Sequence, residues 1–283
     1  MTTAQLELRQ IKGPSALGGG WRRFINLTWL VASSDFKLTY FGSVLGYLWS
    51  FVQPLLFFGV LYLVFGVVLA KAFVKVSDFP VLLLMNIVLF NFFQGATGTA
   101  VASVLVRENL VRKMHFPRLV IPLAVVTTAA MQLMLNLVVV LLFMLIYGIQ
   151  PRVTWLLLPV IALAFFVFSC GVAMLLSSLY VRYRDVAPIW GVISQALFYA
   201  SPVFITIESI QVHGQTVTRA YMCNPLAAML QQARHWMIGN SPGTPAIMGG
   251  YAWALIPAVI GIGICVLGFY VFNREAPRIA EEL

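Results

Sequence analysis

The chain has 283 residues, of which 61% are apolar and only 10% charged, and its formal net charge is +9. Ordinary globular domains are about 25% charged, so this composition excludes a soluble enzyme or a soluble binding module. Six runs without a charged residue (38–70, 79–106, 119–151, 153–181, 186–207 and 235–273) take up most of the length and leave no room for a folded domain outside a membrane.

Several of these runs exceed the ~20 residues needed to cross about 30 Å of hydrocarbon as a helix. An ionised side chain at mid-bilayer costs at least about 2.5 kcal/mol, which accounts for the exclusion of charge. The sequence therefore predicts an all-α integral membrane protein with six transmembrane helices.

Residues 1–20 read as a flexible lead, because Gly13–Pro14 and the glycines at 18–20 interrupt any helix. No cleavable signal peptide is expected there. From Trp21 to Tyr40 a helical pattern gathers Trp21, Phe24, Ile25, Thr28, Trp29, Ala32, Phe36 and Tyr40 on one face. Arg22, Arg23, Asn26, Ser33 and Lys37 gather on the other, with Leu30 and Asp35 out of pattern. Such a helix suits the plane of the membrane interface.

The six spans are expected at about 44–70, 81–106, 120–147, 155–179, 187–207 and 251–272. Pro54 should kink the first, since it removes a backbone hydrogen bond. The second is unusually polar, with Asn86, Asn91, Gln94, Thr97 and Thr99. Amides in lipid either bond across helices or line a polar path, and the sequence leaves both open. The third and fourth form a hairpin across the short turn at 148–151, and Ser201–Pro202 interrupts the fifth. A further helical piece at 226–238 is too short to span and either lies on the outer surface or re-enters the membrane.

With six spans both ends share one side, and thirteen of the eighteen cations fall there. The positive-inside rule then places both termini in the cytoplasm. This distribution accounts for the basic charge without nucleic acid. The three cysteines lack disulfide or zinc spacing, and His115, His213 and His235 are not paired for metal binding. There is no phosphate loop, and Glu208 and Asp78 read as isolated acids. Glu108 and Asp185 read as charge-paired helix flanks beside arginines. The spans hold no carboxylate that could relay an ion. What remains is a passage without its own motor. The segment 107–119 (RENLVRKMHFPRL) joins four cations and Glu108 to apolar Leu110, Val111, Met114 and Phe116, a pattern able to dock in a partner's groove.

Several segments, in order, resemble the membrane subunits of ABC-2-type polysaccharide exporters. These are Leu45–Gly46–Tyr47–Leu48–Trp49–Ser50 with Gln53–Pro54–Leu55–Leu56, then NLVRKMHFPRLVIPL at 109–123. YVRYRDV at 180–186, YASPVF at 199–204 and Asn224–Pro225–Leu226 complete the set. The likeness covers 21–274 as one transmembrane domain, with 275–283 a short cytoplasmic tail.

The resemblance implies a permease subunit in a bacterial plasma membrane. Two copies would pair with two copies of an ATPase subunit that binds ATP and Mg, and would move a lipid-linked polysaccharide such as O-antigen, teichoic acid or galactan. No cofactor or metal is expected in this chain. Mapped by that likeness, Arg22, Arg23, Arg107, Glu108, Arg112, Lys113, Met114, His115, Phe116 and Arg118 would contact the ATPase. The first and fifth spans would line the path, with Tyr47, Trp49, Phe51, Phe58, Tyr62, Trp190, Phe198, Tyr199 and Phe204 as candidates. The helix at 226–238 would be an outer gate. An ABC-2 permease for a drug or lipid, and a membrane-embedded transferase or scaffold, are the rival readings.

Overall fold

The computed structural model describes residues 20–40, 44–69, 78–107, 117–239 and 241–276, and only the backbone of Tyr40 and of 44–47. The secondary structure of these residues is entirely helical. Helix α1 (Trp21–Tyr40) precedes α2 (Val44–Leu61), which continues as π-helical turns over Tyr62–Val68. Helix α3 (Phe79–Val101) is extended by one turn, α4 (Ser103–Val106). Helices α5 (Val120–Ile146) and α6 (Leu158–Arg182) form the expected hairpin, and α7 (Val186–Tyr199) follows. Four short helices come next: α8 (Ile207–Gln211), α9 (Gln215–Met222), α10 (Pro225–Met237) and α11 (Thr244–Met248). Helix α12 (Tyr251–Glu275) ends the described chain.

Among the described residues, five segments are long and apolar enough to cross a membrane: Leu48–Val68, Phe79–Val101, Val120–Ile146, Val153–Arg182 and Tyr251–Glu275. The fifth apolar run departs from the expected 187–207, because its helix stops after 14 residues at Tyr199, a length of about 21 Å. Pro202 explains the stop: it has no N–H to continue the ladder and its ring would meet the carbonyl four residues back. Asn86 on α3 satisfies the break, its Nδ2 donating to the Pro202 carbonyl at 2.6 Å.

Helix α3 is the central pillar, buried at every position from Pro80 to Phe90. Its mean hydropathy, 1.7, is below the 2.2–2.5 of the other four long segments. Polar side chains are tolerated there because α3 faces other helices, not lipid. Helices α6 and α12 meet backbone to backbone. A Cβ added at Gly171 would stand 2.6 Å from the Cα of Cys265, and one at Gly268 would overlap the Gly171 carbonyl.

The two ends of the bundle are packed separately. At one end Phe24 of α1 is buried with Val104, Val120, Val181 and Phe272, which gathers α1, α4 and the neighbouring ends of α5, α6 and α12. At the other, Ile207, Met222, Ala227, Ile247 and Met248 tie the short helices together. Asn224 caps α10 by accepting from the Leu226 N–H at 3.0 Å, with Pro225 in the first turn. Helix α10 buries Leu226, Leu230, Ala233 and Met237, and its last turn is held by Trp155, whose Nε1 donates to the Met237 carbonyl at 2.9 Å.

Glu208, which reads as isolated in the sequence, is paired. Both guanidinium nitrogens of buried Arg234 reach it. Asp185 differs in the opposite sense. Arg182 and Arg184 lie over the rings of Tyr183 and Tyr180, each 5.3 Å from the centroid, and no ion pair joins Asp185 to another described residue. Delocalised guanidinium planes stack well on tyrosine, and that competes with an exposed carboxylate.

Candidate functional site

Five helices turn side chains toward one cavity of about 960 Å³. Helix α3 contributes Asn91, Gln94, Gly95 and Thr99, and α5 contributes Thr128, Gln132 and Asn136. These recur at three- and four-residue intervals, so each set is one helical face. Helix α2 adds Ser50, Gln53 and Phe57, α7 adds Gln195 and Phe198, and α1 adds Asp35 and Thr39. No hydrogen bond joins the side chains of Gln53, Asn91, Gln132, Asn136 or Gln195 to another described residue.

One ion pair stands at the cavity's α1 end. Arg107, just past α4, reaches the Asp35 carboxylate through Nη2, while its Nη1 is buried without a partner among the described residues. Asp35 interrupts the amphipathic pattern of α1 because it points to this arginine and not to bulk water. Helix α1 is also fixed to α5, where the Thr128 hydroxyl donates to the Ala32 carbonyl at 3.2 Å.

Aromatic rings close another side. Phe57 lies 5.8 Å from Phe198, which also meets Phe90 at 5.2 Å and Phe204 at 6.0 Å. Tyr199 packs edge-on to both Phe198 and Phe204, and Phe65 stacks on Phe204 at 4.5 Å. Of the aromatics singled out in the sequence, Phe198, Tyr199 and Phe204 are thus brought together, and of the eight whose side chains are described Phe198 alone lines the cavity. Phe58 and Tyr62 stack on each other at 5.7 Å, with Phe58 edge-on to Phe143 of α5. Trp190 is buried between α7 and α3, donating from Nε1 to Thr97 Oγ1 at 3.2 Å. Trp49 is exposed and Phe51 half-buried, while the Tyr47 side chain lies outside the described residues.

Among the basic candidates, Arg22 and Arg23 are exposed on α1. Arg118 is half-buried just before α5, and its burial holds the guanidinium pKa below the ordinary value. Glu108, Arg112, Lys113, Met114, His115 and Phe116 lie outside the described residues, as do 1–19 and 277–283.

Gln132, Asn136 and Gln195 do not stand out as candidates in the sequence, and Gln53 stands out only beside the kinking proline. The signal for the α5 pair was present: Thr128, Gln132 and Asn136 repeat every four residues in a span that is otherwise strongly apolar.

The long apolar helices, the neutral polar cavity between them and the basic end define a multi-pass membrane protein of the transporter kind. The family model for ABC-2 type transporters matches residues 26–238, and the chain belongs to that family. Among its relatives is an O-antigen export system permease protein RfbA of Klebsiella pneumoniae, 26% identical over 255 residues, covering 90% of this chain and 93% of the relative. A second Klebsiella pneumoniae protein of the same name is 27% identical over the same shares. An O-antigen export system permease protein RfbA of Myxococcus xanthus is 29% identical over 177 residues, 62% of this chain and 67% of the relative.

Proposed function

We propose that this chain is the membrane permease subunit of an ATP-driven exporter that carries a lipid-linked polysaccharide across a bacterial plasma membrane, outward from the cytoplasm. The near full-length similarity to proteins named for O-antigen export supports the cargo. Helix α7 and the turns up to residue 207 together make the fifth of six spans, both termini are cytoplasmic, and two copies assemble. ATP and Mg are bound by a separate ATPase subunit that docks at the α1 end. There it meets Arg22, Arg23 and the segment from Arg107 to Arg118, with Glu108, Arg112, Lys113, Met114, His115 and Phe116. Trp190, Phe198 and Phe204 are buried within one copy, so of the aromatics of the first and fifth spans the exposed Trp49 and Tyr199 line the path between the two copies, and α10 serves as an outer gate.

The observation that carries the coupling role is the Asp35–Arg107 pair. Arg107 opens the docking segment and Asp35 lies on α1, so a push on that segment is transmitted to α1 and, through the Thr128–Ala32 hydrogen bond, to α5. The test is expression with the ATPase partner in cells lacking the native permease gene. Arg112→Glu with Lys113→Glu should abolish surface glycan and reduce copurification of the ATPase. Asp35→Arg should impair export, and combining it with Arg107→Asp should restore part of it. Normal export by the Arg112/Lys113 double variant overturns the coupling role. A parent chain that neither copurifies an ATPase nor supports surface glycan overturns the whole reading.

A further inference from the structure

We propose that the cavity framed by α2, α3, α5 and α7 is a saccharide-binding site contained within one copy of the chain, taking a neutral run of sugar units through their hydroxyl groups. This rests on the glycan-export reading and adds to it a site in each copy, distinct from the space between copies.

The polar groups of α3 divide into two sets. Asn86 and Thr97 are bonded within the protein, to the Pro202 carbonyl and the Trp190 indole respectively. Asn91, together with Gln53, Gln132, Asn136 and Gln195 from three other helices, has no such partner, and all five border one void. Each primary amide offers two donors and an acceptor. Asn91, Gln132 and Asn136 are half-buried and Gln53 and Gln195 exposed, and amides at membrane depth that bond to nothing in the protein are costly unless water or a hydroxylated ligand in the void meets them.

The chemistry of the lining selects the ligand. Sugar hydroxyls donate and accept, as amides do, and need no ionic partner. Among the described residues the charged side chains on this cavity are Asp35 and Arg107, which pair with each other at its α1 end, so the described lining carries no net charge. Phe57 and Phe198 present ring surface to the same space, suited to the apolar faces of pyranose rings. A volume of about 960 Å³ lies within the range of about 300–1,000 Å³ typical of small-molecule sites.

The experiment uses the full chain with its ATPase subunit in cells. Gln132→Met combined with Asn136→Leu keeps the bulk and removes the hydrogen-bonding groups. Losing two such bonds should lower glycan export by about ten-fold or more, with the amount of protein and ATPase copurification unchanged. In a second measurement Gln132→Cys is treated with a membrane-impermeant thiol reagent in inverted vesicles, its signal taken above that of the parent chain. Vesicles from cells making the glycan should label several-fold more slowly than vesicles from cells blocked in its synthesis. Equal labelling in both makes the cavity a water-filled vestibule and overturns the proposal. No labelling in either closes it to solvent and overturns it too, as does full export by the double variant. If the double variant exports normally while the parent also exports, only this inference fails. If the parent exports no glycan, the glycan reading itself fails and the site with it.

Discussion

Arg234 grips Glu208 with both ends of its guanidinium, Nη1 to Oε2 at 2.9 Å and Nη2 to Oε1 at 2.8 Å. The arginine side chain is 2% exposed and the glutamate 28%. This fork ties α10 to α8 across 26 residues of sequence, and it makes the cluster of short helices one unit.

Removing the acid should therefore cost more than removing the pair. Glu208→Ala leaves a buried guanidinium without its counter-ion, a loss at the lower end of about 3–5 kcal/mol because the carboxylate is partly solvated. Arg234→Met combined with Glu208→Leu should be far milder. Thermal unfolding of the detergent-purified protein, followed by loss of the monodisperse peak, measures both. Equal stability of Glu208→Ala and the parent would show that the pair contributes nothing.

The α6–α12 seam makes a second prediction. Gly268→Ala puts a methyl into the Gly171 carbonyl, and the helices must part to admit it, at about 1–3 kcal/mol. Gly263→Ala, on the same helix with open space around the added carbon, should be close to neutral. Comparing melting temperatures of the two alanine variants separates contact from helix propensity, which favours alanine at both sites. A Gly268→Ala chain as stable as Gly263→Ala would refute the close approach.

Asn86 and Asn91, five residues apart on one helix, should respond oppositely. Asn86→Leu strands the Pro202 carbonyl at the break after α7 and should destabilise by about 1–3 kcal/mol. Asn91→Leu removes a side chain with no protein partner and should leave stability unchanged or raised, while impairing export. Melting curves and a surface-glycan assay on the same two variants decide it. A destabilised Asn91→Leu would mean that Asn91 supports the fold and not the cavity.

Much of the architecture could be read from spacing. Charge exclusion marked the long helices, Asn224–Pro225 marked the start of α10, and the short turn at 148–151 marked the α5–α6 hairpin. These signals are local, and a local pattern suffices to set them. The partners were not legible in the same way. Glu208 reads as isolated and Asp35 as out of pattern because their arginines are distant in sequence, and only packing brings them together. The helix of the fifth run ends at Tyr199, before the run does, and hydropathy does not register the missing N–H of the interrupting Pro202 that ends it. The cavity was the least visible feature: four helices each supply one or two of its free amides, so no single stretch carries the pattern.

The glycine contact between α6 and α12 also determines how the molecule can move. With backbone against backbone, sliding one helix by a turn would drive Cys265 through the space that Gly171 leaves for it. These two helices therefore travel as a single rigid block, a stator. Helix α2 with its π-helical continuation is the opposite case, with Leu48, Leu56, Val60 and Leu63 all more than half exposed and few side chains committed to the core. Any force reaching the bundle from outside the chain would therefore find the glycine seam locked, and α2 the helix with fewer contacts to break.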